Sequence, residues 1–252
     1  MSGTGGAGDG SGDDGAGAIG DDRAGTSGDG LDDVRVDTRF TPIYRFLRVL
    51  VHGLNRLLFR TSVVGEDQVP AEGPVIIAPV HRSFIDFLVA SEVTGRKLHY
   101  MAKDSLWKSK ALARILPAVG AFPVHRESAD REALRRAQRV LEAGEVLILF
   151  PEGERRTGPL VEDLHEGVAF LAARTGATVV PVGIGGSSSV MPKGKRFPRP
   201  RHIHLIVGEP IPPPARTGGG RISRSRTHQL TEALAASIQD LYDRAVAVVG
   251  RY

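Results

Sequence analysis

No cysteine occurs among the 252 residues, which excludes disulfides, thiolate metal sites and cysteine nucleophiles. Long apolar runs are missing too: nothing approaches the roughly eighteen uninterrupted apolar residues of a transmembrane helix, so none is expected. The first residues, MSGTGGAGDG, have neither the basic nor the apolar region of a secretory signal, and none is expected. Aromatic residues make up 6% of the chain, and no aromatic-rich strand offers a platform for base stacking. A nucleic-acid partner is therefore not expected. There is no G-x-S-x-G elbow of a serine hydrolase, and GIGG at 183–186 is a poor match to a dinucleotide loop.

What is present is unevenly spread. Residues 1–38 hold nine Asp and two Arg, a net charge of −7, while the remainder carries 31 basic and 20 acidic residues, a net of +11. The first segment is Gly, Asp, Ser and Ala with almost nothing to bury, and is expected to be a disordered acidic tail. The strongly basic remainder suits anionic lipid or phosphorylated small molecules.

TPIYRFLRVLVHGLNRLLFR follows the tail. Thr41 can cap a helix and Pro42 fits its first position. Ile43, Leu47, Leu50, Leu54, Leu57 and Leu58 recur at helical spacing, with Arg45, Arg48, Asn55 and Arg56 on the other side. Residues 39–60 therefore read as a basic amphipathic helix. It either packs its apolar face on its own domain or lies in a membrane interface with arginines at the headgroups.

From residue 61 to 252 strands and helices alternate in a single domain. Strands are expected at SVVGE, VIIAPV, LHYMAK, AFPVHR, VLILFP, TVVPVGIGG and HIHLIVGEPI. Helices are expected over 83–95, 105–116 (stopped by Pro117), 130–144, 161–176 and 225–249. Continuous apolar strands between helices predict an α/β fold with a layered, mixed but mostly parallel sheet flanked by helices.

The chemistry-bearing residues cluster at predicted strand ends, where α/β folds gather ligands. VHRSFIDF (80–87) places His81 and Asp86 five positions apart. They can meet if His81 lies in the strand-to-helix turn and Asp86 in the first helical turn. A capping box, Ser83-x-x-Asp86, would explain the aspartate more simply. GAFPVHR (120–126) ends in Arg126, and FPEGERRTG (150–158) supplies Glu152, Gly153 and Arg155 in a tight turn. One base with two guanidinium groups suggests a phosphorylated substrate. Pro181 inside VVPVGI points to an edge, a bulge or a close approach to ligand. HIH (202–204) could hold a metal as a pair, but no carboxylate lies beside it and no metal is expected.

The order H-x4-D, G-x-F-x-x-x-R, F-P-E-G-x-R, V-P-V, running over about residues 60–212, resembles the glycerolipid acyltransferase family, whose bacterial members include 1-acylglycerol-3-phosphate acyltransferases. The resemblance implies a peripheral enzyme on the cytoplasmic face of the membrane, with no cofactor and no covalent acyl-enzyme. It implies an acyl-CoA or acyl carrier protein donor and a lysophospholipid acceptor giving phosphatidic acid. Another lysolipid, or glycerol 3-phosphate, is the alternative acceptor, and a non-catalytic membrane-binding module the alternative class. By the resemblance His81 is the general base and Asp86 its partner. Arg126, Glu152, Gly153, Arg155 and, more distantly, Lys103 lie at the substrate. Two positions depart from the family pattern: Val80 stands for an asparagine and Glu154 for a threonine. A carboxylate at 154 calls for a partner such as Arg156. Backbone N–H groups at 82–84 or near Gly153 are the candidates to meet an oxyanion.

Overall fold

The apolar runs become seven strands of one sheet in the computed structural model, which describes residues 40–124, 131–191, 197–215 and 223–250. The acidic segment 1–38, Arg126, and residues 192–196 of the basic loop lie outside the described residues. In chain order the elements are α1 (Pro42–Phe59), β1 (Ser62–Val64), β2 (Val75–Pro79), α2 (Asp86–Val89), β3 (Leu98–Lys103), α3 (Lys110–Ala118), β4 (Ala121–Val124), α4 (Arg131–Glu142), β5 (Val146–Ile148), α5 (Gly167–Thr175), β6 (Thr178–Gly185), α6 (Ser187–Val190), β7 (His204–Val207) and α7 (Arg224–Val249).

The sheet order is β1-β7-β6-β2-β5-β3-β4. Every pairing is parallel except β6 with β7. The expected mixed, mostly parallel α/β sheet is therefore present. Its middle is β2 and β5, aligned Val75 to Val146 and Ile77 to Ile148, and all of these side chains are buried. Both strands run the same way, so the loops that leave their C-terminal ends lie side by side although about seventy residues separate them in sequence.

Pro181 is not on an edge strand: β6 is interior, between β2 and β7. Its carbonyl accepts from Gly208 N at 2.9 Å, just past the end of β7. Opposite it the register slips by one residue, from Val182↔Val207 to Val179↔Ile211. The proline thus faces a bulge, where the ladder has no acceptor for the N–H it lacks.

Gly183 and Gly185 have a packing role. They lie on the face of β6 that receives α7, and that helix comes so close that a Cβ at Gly183 would fall 2.6 Å from Tyr242 N, and one at Gly185 2.7 Å from Val246 N. Backbone cannot move aside as a flexible side chain can. Gly183→Ala should therefore destabilise the protein by about 1–3 kcal/mol, the usual cost of overpacking. Urea unfolding measures it, and an unchanged midpoint would refute this close approach.

Several helices differ from the sequence reading. The stretch 83–95 forms α2 and then a 3-10 turn, Ala90–Val93. The Leu88 carbonyl accepts from Asn55 Nδ2 and Ser91 Oγ, which draws it out of a regular ladder. The helix expected over 105–116 starts only at Lys110, after a 3-10 turn, Asp104–Lys108. Pro117 does not stop it but sits in its last turn, where a missing N–H costs one bond rather than a continuing ladder. The helix expected over 161–176 begins at Gly167. Before it, Val161 N donates to Gln239 Oε1 (2.7 Å), and Asp163 takes a left-handed conformation that interrupts a helix.

Candidate active site

His81 leaves the end of β2 and is only 7% exposed. Its Nδ1 is 3.0 Å from Asp86 Oδ2, and its ring stacks on Phe150 with centroids 4.1 Å apart. The same carboxylate oxygen accepts from Arg82 N and Ser83 N, each at 2.6 Å. Asp86 therefore does two things that the sequence reading set against each other. It caps the turn after β2 and it holds the imidazole. The reciprocal half of a capping box is absent, because Ser83 Oγ donates to Met191 O instead. With Nδ1 committed to Asp86, the histidine presents Nε2 to the cavity it lines.

Glu152 was expected at the substrate, and the geometry places it elsewhere. It is fully buried. Its Oε2 accepts from His81 N at 2.7 Å and its Oε1 from Arg82 Nη1 at 2.5 Å. Arg82 also reaches the carbonyls of Gly158 (3.2 Å) and Leu160 (2.8 Å) and packs over the Tyr242 ring. Arg156 N donates to His81 O at 3.0 Å. The turn after β5 thus grips the histidine backbone on both sides, and Glu152 is a positioning group. Arg82 escaped the sequence reading because an arginine beside the histidine has no periodicity. The signal that could have found it is Glu152, a carboxylate following a buried strand and in need of a cation.

Gly153 does not line the cavity. Its φ is +69°, and a Cβ there would lie 2.6 Å from the His165 ring, so glycine allows that ring to cover the turn. Arg155 and Lys103 do line the cavity, with His81. Arg155 packs on Phe84 at 5.9 Å and has no ion pair among the described residues. Glu154 and Arg156 approach to 3.8 Å, as the sequence suggested, and Arg156 lies equally far from Asp163. Of the candidate oxyanion donors, the Arg82 and Ser83 N–H groups are taken by Asp86 and that of Gly153 by Phe150 O. Phe84 N–H alone in the 82–84 turn has no protein acceptor among the described residues.

The cavity measures about 490 Å³, the size of a small-ligand site. Away from His81 it is apolar, with Leu88, Leu98, Leu112, Leu116 and Ile148 in its walls. Burial pushes the Tyr100 phenol well above its ordinary range, so it lines the cavity uncharged. The site therefore joins a base, the cations Arg155 and Lys103 and an apolar hole, while a third cation in its wall, Arg48, is committed to backbone carbonyls.

Helix α1 supplies another wall through Tyr44, Leu47 and Val51, and its packing is inverted. Its inner side mixes Leu47, Val51, Leu58 and Phe59 with polar groups that bind the domain. Arg48 donates to the carbonyls of Thr94, Gly95 and Arg96, Asn55 donates to Glu92 Oε1 at 2.9 Å, and the Tyr44 hydroxyl accepts from Leu98 N at 3.1 Å. His52 Nδ1 lies 3.4 Å from Glu92 Oε2, and burial lowers the imidazole pKa from its ordinary value despite that carboxylate. The outer side exposes Ile43, Phe46, Val49, Leu50, Leu54 and Leu57. Most of the apolar stripe therefore faces away from the domain. Among the described residues no helix is long and apolar enough to cross a membrane.

His202 and His204 both contact Ser62 Oγ, at 2.9 and 2.7 Å. They join β7 to β1, and no group of three or more metal-ligating side chains occurs among the described residues.

Residues 60–185 match the family model described as Acyltransferase. A 1-acyl-sn-glycerol-3-phosphate acyltransferase of Bacillus subtilis is 27% identical over 204 residues, covering 80% of this chain and 98% of that one. One from Chlamydomonas reinhardtii is 24% identical, covering 67% of this chain but 54% of its own, so the chain spans about half the length of that relative. Among solved structures, the 1-acyl-sn-glycerophosphate acyltransferase PlsC of Thermotoga maritima superposes with a TM-score of 0.64 at 22% identity, over 80% of each chain. That likeness is one of fold.

Proposed function

The chain belongs to the acyltransferase family, and on that premise we propose that it moves a fatty acyl group from a thioester donor to the hydroxyl of 1-acylglycerol 3-phosphate, giving phosphatidic acid. The observation that carries this reading is the juxtaposition at one cavity: an Asp86-oriented imidazole, the cations Arg155 and Lys103, and apolar walls.

The chemistry follows from the residue types. A glycerol hydroxyl is too weak an acid to attack a thioester unaided. His81 Nε2 takes its proton as the oxygen bonds to the carbonyl carbon. Asp86 holds the tautomer and stabilises the imidazolium, as in the triads of hydrolases. Here the substrate hydroxyl replaces a protein serine. The carbon–sulfur bond then breaks and the departing thiolate recovers the proton from His81. Phe84 N–H is the turn's remaining donor for the oxyanion. The donor is a coenzyme A or acyl carrier protein thioester, whose acyl chain the apolar hole accepts. Arg155 and Lys103 take the acceptor phosphate. Arg126, by family resemblance, joins them.

The outward apolar side of α1 supports a location of this site at a membrane surface, with Arg45 and Arg56 near anionic headgroups. Cosedimentation with anionic vesicles tests that placement.

The assignment of the acceptor is tested on purified protein with acyl-CoA and a panel of lysolipids, the products being resolved by mass. Arg155→Ala should raise KM for the phosphorylated acceptor by about tenfold or more, the loss expected of a charge-assisted contact, with little change in KM for the thioester. Equal activity of the parent on acceptors with and without a phosphate would sink the assignment. If only glycerol 3-phosphate is acylated, the acceptor is that alternative.

A further inference from the structure

Helix α3 lies beside the same cavity as α1, yet none of its nine residues is buried, nor is any residue of the 3-10 turn before it. Nine residues are too few for a helix to be stable in water by itself, and this one turns apolar side chains outward. Ile115 is 45% exposed. Leu112 at 37% and Phe84 at 41% are exposed while also lining the cavity, and so form its rim. Around them stand exposed Lys103, Lys108, Lys110 and Arg114, while Asp104 is the only acid between 103 and 119. The chain's one tryptophan, Trp107, lies partly exposed in the 3-10 turn.

We propose that residues 104–118 are a second membrane-contacting element, so that the cavity opens onto an anionic bilayer between α1 and α3. This rests on the lipid acyltransferase reading of the site. Three observations select a bilayer as the occupant. The charge around the apolar rim complements anionic headgroups. The cavity rimmed by Leu112 and Phe84 is walled elsewhere by Tyr44, Leu47 and Val51 of α1, the helix whose opposite side is apolar and exposed. A tryptophan stands at the border of apolar and basic residues, its usual place at a membrane–water interface. A lipid acceptor then reaches His81 from the bilayer without crossing water.

Trp107 makes the proposal directly testable, because all indole emission comes from this element. The full-length protein is mixed with equimolar phosphatidylcholine–phosphatidylglycerol vesicles, with and without brominated acyl chains. The expected result is cosedimentation, a blue shift of the emission, and loss of most of it with brominated chains. Replacing Ile115, Lys108, Lys110 and Arg114 together by Gln should weaken vesicle binding by about fivefold per charge removed. Acylation of a short-chain, water-soluble acceptor should not change. Cosedimentation without quenching overturns the proposal and leaves α1 as the sole contact. Failure to sediment overturns both the proposal and the membrane placement of the site. A blue shift that grows with protein concentration in lipid-free buffer would show a second copy on this face and would also overturn it.

Discussion

His81→Ala should lower acyl transfer by about 10²–10⁴-fold, the usual contribution of a positioned general base, while the fold persists. The ring touches Asp86 and Phe150, and the backbone bonds that hold the loop, to Glu152 and Arg156, survive its removal. Asp86 calls for two variants. Asp86→Ala removes the acceptor of two backbone N–H groups and the imidazole at once, so stability and activity should fall together. Asp86→Asn keeps a carbonyl for the backbone and removes the charge that stabilises an imidazolium. Its loss of turnover should exceed its loss of stability. Rates on acyl-CoA and lysolipid, with thermal unfolding of the same samples, separate the roles. Near-normal turnover by His81→Ala would end the base mechanism.

The second large effect is expected at Arg82 and Glu152. Both side chains are essentially inaccessible to water, so deleting one strands the other. Arg82→Met should cost about 3–5 kcal/mol, the range for breaking a buried pair by removing one partner. Glu152→Gln should do similar harm. The double variant should recover part of the loss, since no unpaired charge remains. The singles should also lose activity without touching substrate, because Glu152 holds the His81 amide. Urea titrations of the three variants give the coupling energy directly. Strict additivity of the two single losses would show that the pair does not act as a unit.

These residues also mark how far the sequence could be read. The sheet was legible because VIIAP, VLI and TVVPVGIG are buried on both faces, which demands unbroken apolar runs. His81 and Asp86 were legible because their spacing is local, and one turn brings them together. Glu152 was seen but given the wrong surroundings. Its partners lie seventy residues upstream, and nothing in FPEGERR says that the carboxylate points inward to Arg82 rather than outward to substrate. Helix extents failed where side chains from other elements claim backbone groups, as Asn55 does at Leu88 and Gln239 at Val161. The stripe on α1 was recognised, but whether it covers the domain or faces away depends on the polar contacts of Arg48, Asn55 and Tyr44.

That inverted helix changes what concentration means for the enzyme proposed here. A catalyst held at a bilayer through Ile43, Phe46, Leu50 and Leu57 meets its acceptor in two dimensions. Its rate should follow the mole fraction of lysolipid in the surface rather than the amount per litre. Adding inert phospholipid at constant total acceptor should slow turnover by surface dilution, and the reaction should stay processive on one vesicle until its lysolipid is exhausted.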